Sequence, residues 1–323
     1  MKAKVSSLLE LLNAAWQNRP DQKPKPGKPL AYSTGSFVLF FMLMLLKHIH
    51  AFKAMHKWAK ANYALLGWQR APDRKTIRRR FLNLPTVLQV LMPTIARQCL
   101  ALNYSLFGYA WSYADKSVFR ALGGLWHQKH RLVGVVPHSS IDTQASWAKS
   151  AYHGWRFGYG LHVICNRYRF PLMATVTTAS TKDYDLLKPL VSPLQANLSM
   201  VMADKGYFSL AALQTLHDQF SVLVITPCLF KAGQVLTHFQ RYYNDLAGCV
   251  LGYTRRKPSI EPCFAHLKAL TGLTGEHQLP YRGLARVSSY LLIATCTVQL
   301  MMYHNYTDQR ELGSMEAFRT TFQ

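Results

Sequence analysis

LSMVMADKGYFSL, Leu198–Leu210, joins a short apolar run to a glycine turn and then to a helical segment. Met200-Val201-Met202-Ala203, closed by Lys205-Gly206-Tyr207, has the pattern of a buried strand. A helix from Ser209 to Phe220 is expected next. In open α/β sheets, reactive groups gather where strands end and the chain turns toward helices. Asp204 stands at that point. A carboxylate there is costly to bury without a cation or donors, so Asp204 requires a partner from elsewhere in the chain.

Of the 323 residues, 49% are hydrophobic and 12% aromatic, which supports a packed core and argues against wholesale disorder. The length suits about two domains. Lys plus Arg number 38 against 15 Asp plus Glu, a formal charge of +23. So large an excess points to an anionic partner, nucleic acid or an anionic membrane surface. The longest apolar run, Phe37–Leu46, falls well short of the ~20 residues that span a bilayer and reads as a buried core helix. MKAKVSSLLELLNAAW at the N-terminus lacks the apolar core and cleavage site of a secretory signal. A cytoplasmic protein acting on nucleic acid, with no membrane partner, is expected. Cysteines 99, 165, 228, 249, 263 and 296 form no C-x-x-C pair and read as reduced core thiols. The histidines follow no zinc-ligand spacing, and no phosphate-binding P-loop motif occurs.

The chain divides into three parts. Residues 1–30 hold a short amphipathic helix, Ser6–Trp16, and the Pro- and Lys-rich segment NRPDQKPKPGKP, which reads as a linker. Residues 31–104 are helical throughout and form a small all-α domain. Within it Arg74, Lys75, Arg78, Arg79 and Arg80 crowd one short helix after the candidate caps Asp73 and Thr76, which reads as a helix-turn-helix DNA-binding unit or a solvated basic face. Residues 105–323 form an α/β domain. Its first strand, Tyr109–Ala114, is expected to end in Asp115, and residues 126–158 to form a loop or long hairpin. Strands Tyr159–Asn166 and Pro171–Thr178 complete an antiparallel meander. Asp183 reads as the N-cap of a helix running to about Leu194. The Asp204 strand, the helix after it, a short strand Val222–Thr226, a helix bearing Glu261 and a long apolar helix from Leu284 follow. Trp126, Trp147 and Trp155 suit stacking on bases or DNA ends, or packing within a loop.

Three acids stand out: Asp115 and Asp204 at strand ends, and Glu261 on the helix beyond the last strand. Strands one and four can be neighbours, which would bring both Asp carboxylates to one cleft. Like charges there repel and raise one another's pKa. Hard divalent cations remove the repulsion: Mg²⁺ binds carboxylates while leaving positions for water and phosphate, and a pair of such ions can hold both oxygens of an in-line displacement at phosphorus. Asp142, in Ser140-Ile141-Asp142-Thr143, competes with Asp115 as first acid. Asp115 is favoured because a strand directly precedes it, whereas Pro137 interrupts the run before Asp142.

Ala114-Asp115-Lys116-Ser117, the Tyr159-Gly160-Leu161-His162 strand, Ala203-Asp204-Lys205-Gly206-Tyr207, and Glu261 followed by Lys268 resemble the DDE transposases of bacterial insertion sequences, of the insertion sequence four type. The resemblance covers about residues 105 to 305. It implies an RNase H-like mixed sheet flanked by helices, with Asp115, Asp204 and Glu261 as catalytic, metal-binding carboxylates. It further implies Mg²⁺ or Mn²⁺, two ions, and double-stranded DNA partners, the element's terminal inverted repeats and target DNA. Two copies would act together as a homodimer on DNA. The implied activity is metal-dependent DNA cleavage and strand transfer. A nuclease without strand transfer and an inactive DNA-binding derivative are the alternatives. In the family's Tyr-x2-Arg-x3-Glu-x6-Lys signature, Tyr253 and Lys268 match as DNA-binding residues. The Arg position falls to Arg256 or Lys257, because Glu261 lies one residue further on than the signature places it.

Overall fold

Six strands make one mixed sheet with helices packed around it. The computed structural model describes residues 2–19, 31–150, 154–227, 233, 235, 237, 238, 241 and 256–322. The strands are β1 Trp111–Arg120, β2 Ser146–Ser150, β3 Gly154–Asn166, β4 Pro171–Thr178, β5 Met200–Ala203 and β6 Leu223–Ile225. β3 lies between β1 on one side and β4 and β2 along its other contacts, all antiparallel. On its far side β1 pairs in parallel with β5, and β5 with β6. The expected meander is present, with the β2–β3 hairpin added within residues 126–158. β3 is buried from Phe157 to Cys165, so both its faces are covered and its sequence reads as a continuous apolar run rather than an alternation.

The expected small all-α portion precedes the sheet. Lys2–Gln17 packs on Thr34–Leu46, every residue of which is buried. Ser33 caps that helix, its Oγ accepting from Ser36 N–H at 3.1 Å. Phe52–Asn62 packs on Arg74–Leu82, where Asp73 accepts from Thr76 N–H at 2.6 Å, the cap read from sequence. Leu84–Leu102 then runs beneath the sheet against the long helix Leu284–Thr307. That helix is long and apolar enough to cross a bilayer, yet 83% of its apolar window is buried inside the fold. It packs against β4, Thr34–Leu46 and Leu84–Leu102 and serves as the shared core of sheet and helices. Cys99, Cys165, Cys263 and Cys296 are buried free thiols; Cys228 and Cys249 lie outside the described residues.

Candidate active site

The β1–β5 ladder pairs Trp111 with Met200, Ser112 with Val201, Tyr113 with Met202 and Ala114 with Ala203, and ends there. The next residue on each strand is an acid, Asp115 and Asp204. Parallel register alone therefore sets the two carboxylates side by side. One expectation needs correction: Asp115 does not end its strand. β1 continues to Arg120 because β3 pairs with it through Arg120 opposite Gly158. Only the β5 side of the ladder stops, and Asp115 sits in the fork where the two strands part.

The guanidinium of Arg256 fills that fork. Its Nη1 donates to Asp115 Oδ2 at 2.8 Å, and its Nη2 lies 3.8 Å from Asp204 Oδ1. Asp115 Oδ1 accepts from the Lys116 N–H at 2.8 Å. Burial raises the Asp115 pKa above the ordinary carboxylate value; Arg256 opposes the shift and the neighbouring Asp204 adds to it. The pair thus needs a cation, and Arg256 supplies one. Of the two candidates for the signature cation, Arg256 is buried against the carboxylates, whereas Lys257 is exposed.

The residues after Asp204 hold its turn in place. A Cβ on Gly206 would lie 2.5 Å from Asp183 Oδ2, so a side chain there would have to push aside a carboxylate that Lys116 holds. Asp183 is not the N-cap expected of it. It opens a 3₁₀ turn, Asp183–Leu186, and accepts from Lys116 Nζ at 2.8 Å. Lys116 Nζ also donates to Thr181 O at 3.1 Å. The segment expected as one helix to Leu194 is broken into short turns: Pro189 and Pro193 remove backbone donors. Tyr207 is fully buried, and its hydroxyl lies 3.0 Å from His162 Nδ1; His162 Nε2 lies 3.1 Å from Thr177 Oγ1. Burial, with Lys116 nearby, lowers the His162 pKa to about 3, so this imidazole is a neutral strut. Sequence reading did not find the Lys116–Asp183 pair, because its partners are distant in sequence and only β1 and the turn after β4 bring them together.

Asp142 has a different setting. It is buried, and its Oδ2 accepts from Tyr159 OH and from Gly283 N–H, both at 2.8 Å. Its Oδ1 accepts from Gln144 N–H at 3.1 Å. It ties the loop before β2 to β3 and to the start of the long C-terminal helix.

Glu261 lies on the helix Arg256–Thr271 and is exposed. It lies five positions beyond Arg256, about 140° around a helix and ~7.5 Å along it. It therefore does not share the face that meets Asp115. Among the described residues no group of three acidic, histidine or cysteine side chains is close enough to hold a metal ion. Lys268 is two turns from Glu261 on its own face and half-buried; burial, then Arg156, lowers its pKa. Tyr253 lies outside the described residues. In the basic helix Arg74, Lys75, Arg78 and Arg79 are exposed, whereas Arg80 turns inward, its guanidinium 5.2 Å from the Phe37 ring centre.

Two aspartates in register, both partly exposed and only half offset by one positive charge, are a hard-oxygen donor set that suits a divalent cation. The sequence matches the family described as Transposase DDE domain over residues 127–300, more than half of the chain. That span contains Asp142, Asp204 and Glu261 and begins after Asp115. No curated protein matches. Among solved structures the chain is similar to the piggyBac transposase synaptic complex with hairpin DNA, with 9% identity, a TM-score of 0.40, and coverage of 99% of this chain and 76% of that one. It is also similar to the Mos1 transposase paired-end complex with left transposon end, with 10% identity, a TM-score of 0.21, and coverage of 80% and 83%.

Proposed function

The chain belongs to the Transposase DDE domain family, and from that premise we propose that it cuts and rejoins DNA at the ends of a mobile element of the insertion-sequence type. The observation that carries this reading is the placement of Asp115 and Asp204 one step beyond the last register pair of β1 and β5. Residues 31–104 are the DNA-recognition unit in this reading, 105–323 the catalytic unit, and 1–30 an N-terminal helix and linker. The protein works on DNA in the cytoplasm, as two copies on two ends.

Asp115, Asp204 and Glu261 would hold Mg²⁺ or Mn²⁺, two ions. Such cations supply charge neutralisation and orientation for in-line displacement at phosphorus. The protein's own part is positional. The β1–β5 ladder sets the spacing of two carboxylates, and Lys116–Asp183 and Tyr207–His162 keep the Asp204 turn from shifting. In this reading Arg256 holds the two aspartates, and Lys257 and Lys268 on the same helix are the phosphate-holding cations, with Tyr253 preceding them in sequence. Arg74, Lys75, Arg78 and Arg79, exposed on one helix, meet DNA phosphates or base edges, with Arg80 bracing that helix against Phe37. Glu261 completes the site only if the Arg256–Thr271 helix presents another face; Pro262 next to it removes one helical hydrogen bond and makes that helix easier to bend.

The test is cleavage and joining on DNA taken from the two flanks of the gene, with Mg²⁺ or Mn²⁺. Wild type should cut the end and join a pre-cut 3′-hydroxyl end to target DNA. Asp115→Asn, Asp204→Asn and Glu261→Gln should each abolish both steps while still binding DNA. Cutting without joining would leave a nuclease. Full cleavage by Asp204→Asn would overturn the triad.

A further inference from the structure

The connection between β1 and β3 carries charge and aromatic surface that the chemistry above does not use. Residues 121–150 contain Lys129, Arg131 and Lys149, and their one acid, Asp142, is buried. On the β2–β3 hairpin Lys149 opposes Trp155 and Trp147 opposes Phe157. Alternate residues share a face, so these four side chains line one side of the hairpin. Exposure increases along it, from buried Phe157 through half-buried Trp147 to Trp155, 65% exposed. Trp147 is held in place: its indole N–H donates to Trp126 O at 2.7 Å, and the Trp126 N–H donates to Val135 O at 2.8 Å. With His127, Gln128, Arg131 and Leu132, the indoles of Trp147 and Trp155 line an open cavity of ≈ 780 Å³.

Two indoles beside a guanidinium suit a flat ring joined to an anion. Bases stack on aromatic faces while nearby cations take the backbone phosphates. A second copy of a chain charged +23 would bring like charge to this face. The cavity is also far from the carboxylates. Val163 opposes Asp115, and Trp155 lies further along β3 by about 26 Å at ~3.3 Å per residue. That is roughly eight steps of duplex DNA at 3.4 Å each.

We propose that this cavity seats an unpaired nucleobase of the DNA flanking the reacting phosphate, stacked on Trp155 and Trp147, with Arg131 and Lys149 on adjoining phosphates. The proposal rests on the DNA-processing reading above. The test compares binding of the full chain to a fully paired fluorescent duplex and to the same duplex with a short thymidine tail, at one fixed salt concentration. Wild type should prefer the tailed probe. Trp155→Ala should lower affinity for the tailed probe about five- to 150-fold, the range for one base–aromatic stack, and leave the paired duplex within about twofold. Trp155→Phe should keep most of the preference, and Arg131→Gln should weaken the tailed probe at low salt. Equal losses on both probes, or no loss in a Trp155→Ala protein with the wild-type urea midpoint, would overturn the proposal. So would a shift of Trp155→Ala from dimer to monomer on sedimentation without loss of probe preference, which assigns the face to a second copy. Wild type binding both probes equally overturns the seat alone; wild type binding neither overturns the DNA reading with it.

Discussion

Replacing Asp142 tests whether its role is structural, as its bonds to Tyr159 and Gly283 say, with Asp115 the acid proposed for catalysis. Its carboxylate accepts from Tyr159 OH, Gly283 N–H and Gln144 N–H. Asp142→Ala would leave the Tyr159 hydroxyl, which is fully buried, and the Gly283 N–H, which is half-buried, without an acceptor. Gln144 is exposed, so water replaces the lost bond there. Each stranded buried donor costs about 1–3 kcal/mol, so Asp142→Ala should lose about 2–5 kcal/mol of unfolding free energy. That is a large part of the ~5–15 kcal/mol that a typical domain possesses. Asp142→Asn keeps one acceptor oxygen and should lose about 1–3 kcal/mol on the same count. Urea unfolding followed by intrinsic fluorescence measures the loss. End cleavage at a temperature where the variant stays folded should run near the wild-type rate. Asp115→Asn should do the reverse: cleavage should fall by roughly 10²-fold or more, the effect of removing a group that stabilises transition-state charge, with little loss of stability. Asp142→Ala at the wild-type urea midpoint with cleavage abolished would refute the reasoning and make Asp142 the first acid of the site.

Arg256→Gln removes the cation between Asp115 and Asp204. Because both carboxylates are partly exposed, the loss in metal-free buffer should be about 1–3 kcal/mol, below the value for a fully buried pair. Mn²⁺ should then raise the melting temperature more for the variant than for wild type, and equal shifts would count against the counter-ion role. His162 is neutral when folded, its pKa lowered to about 3 from 6.5. The unfolded chain therefore binds the extra proton, and stability falls as pH drops from about 6.5 toward 3, by up to about 1.4 kcal/mol per pH unit. His162→Gln should flatten that acid limb between pH 6 and 4; an unchanged slope would sink the idea. Gly206→Ala drives a methyl into the Asp183 carboxylate and should lower stability by about 1–3 kcal/mol. A Gly206→Ala protein with the wild-type urea midpoint would show that Asp183 yields freely.

Local chemistry carried most of the fold. The Ser33 and Asp73 caps, the apolar Thr34–Leu46 helix and the Met200–Ala203 strand are each written in a few adjacent residues. A hairpin was one of two readings for residues 126–158, but the bounds of β2 were not legible, since Ser-Trp-Ala-Lys-Ser has no β-branched residue and its pattern acquires meaning only opposite β3. The end of β1 was misplaced at Asp115, because an acid after an apolar run looks like a terminus, whereas antiparallel pairing with β3 carries the strand on. Asp115 and Asp204 were legible as a pair because each follows an apolar run and strands one and four can be neighbours; the parallel register comes from the β1–β5 ladder itself. The ring of support around them was not: Lys116 with Asp183, His162 with Tyr207 and Arg256 with Asp115 are contacts across 45 to 141 residues. Arg256 could be read only as one of two spacings, and burial decides between it and Lys257.

The four register pairs that end beneath Asp115 and Asp204 have a consequence for how such a chain can diverge or be re-engineered. Backbone pairing sets the carboxylate spacing, and between β1 and β5 the chain supplies β3, which pairs with β1, and Asp183 and His162, which brace the Asp204 turn; the loop of residues 121–141 makes none of these contacts. Doubling a loop there adds only about 0.6 kcal/mol of closure entropy. That loop can be lengthened or trimmed while the two acids keep their places. The stretch around Arg131 and Leu132, which borders the cavity beside Trp147 and Trp155, is therefore the replaceable part, while Asp142 and β3 must stay. Swapping it should change what the proposed base seat holds while leaving Asp115 and Asp204 in register.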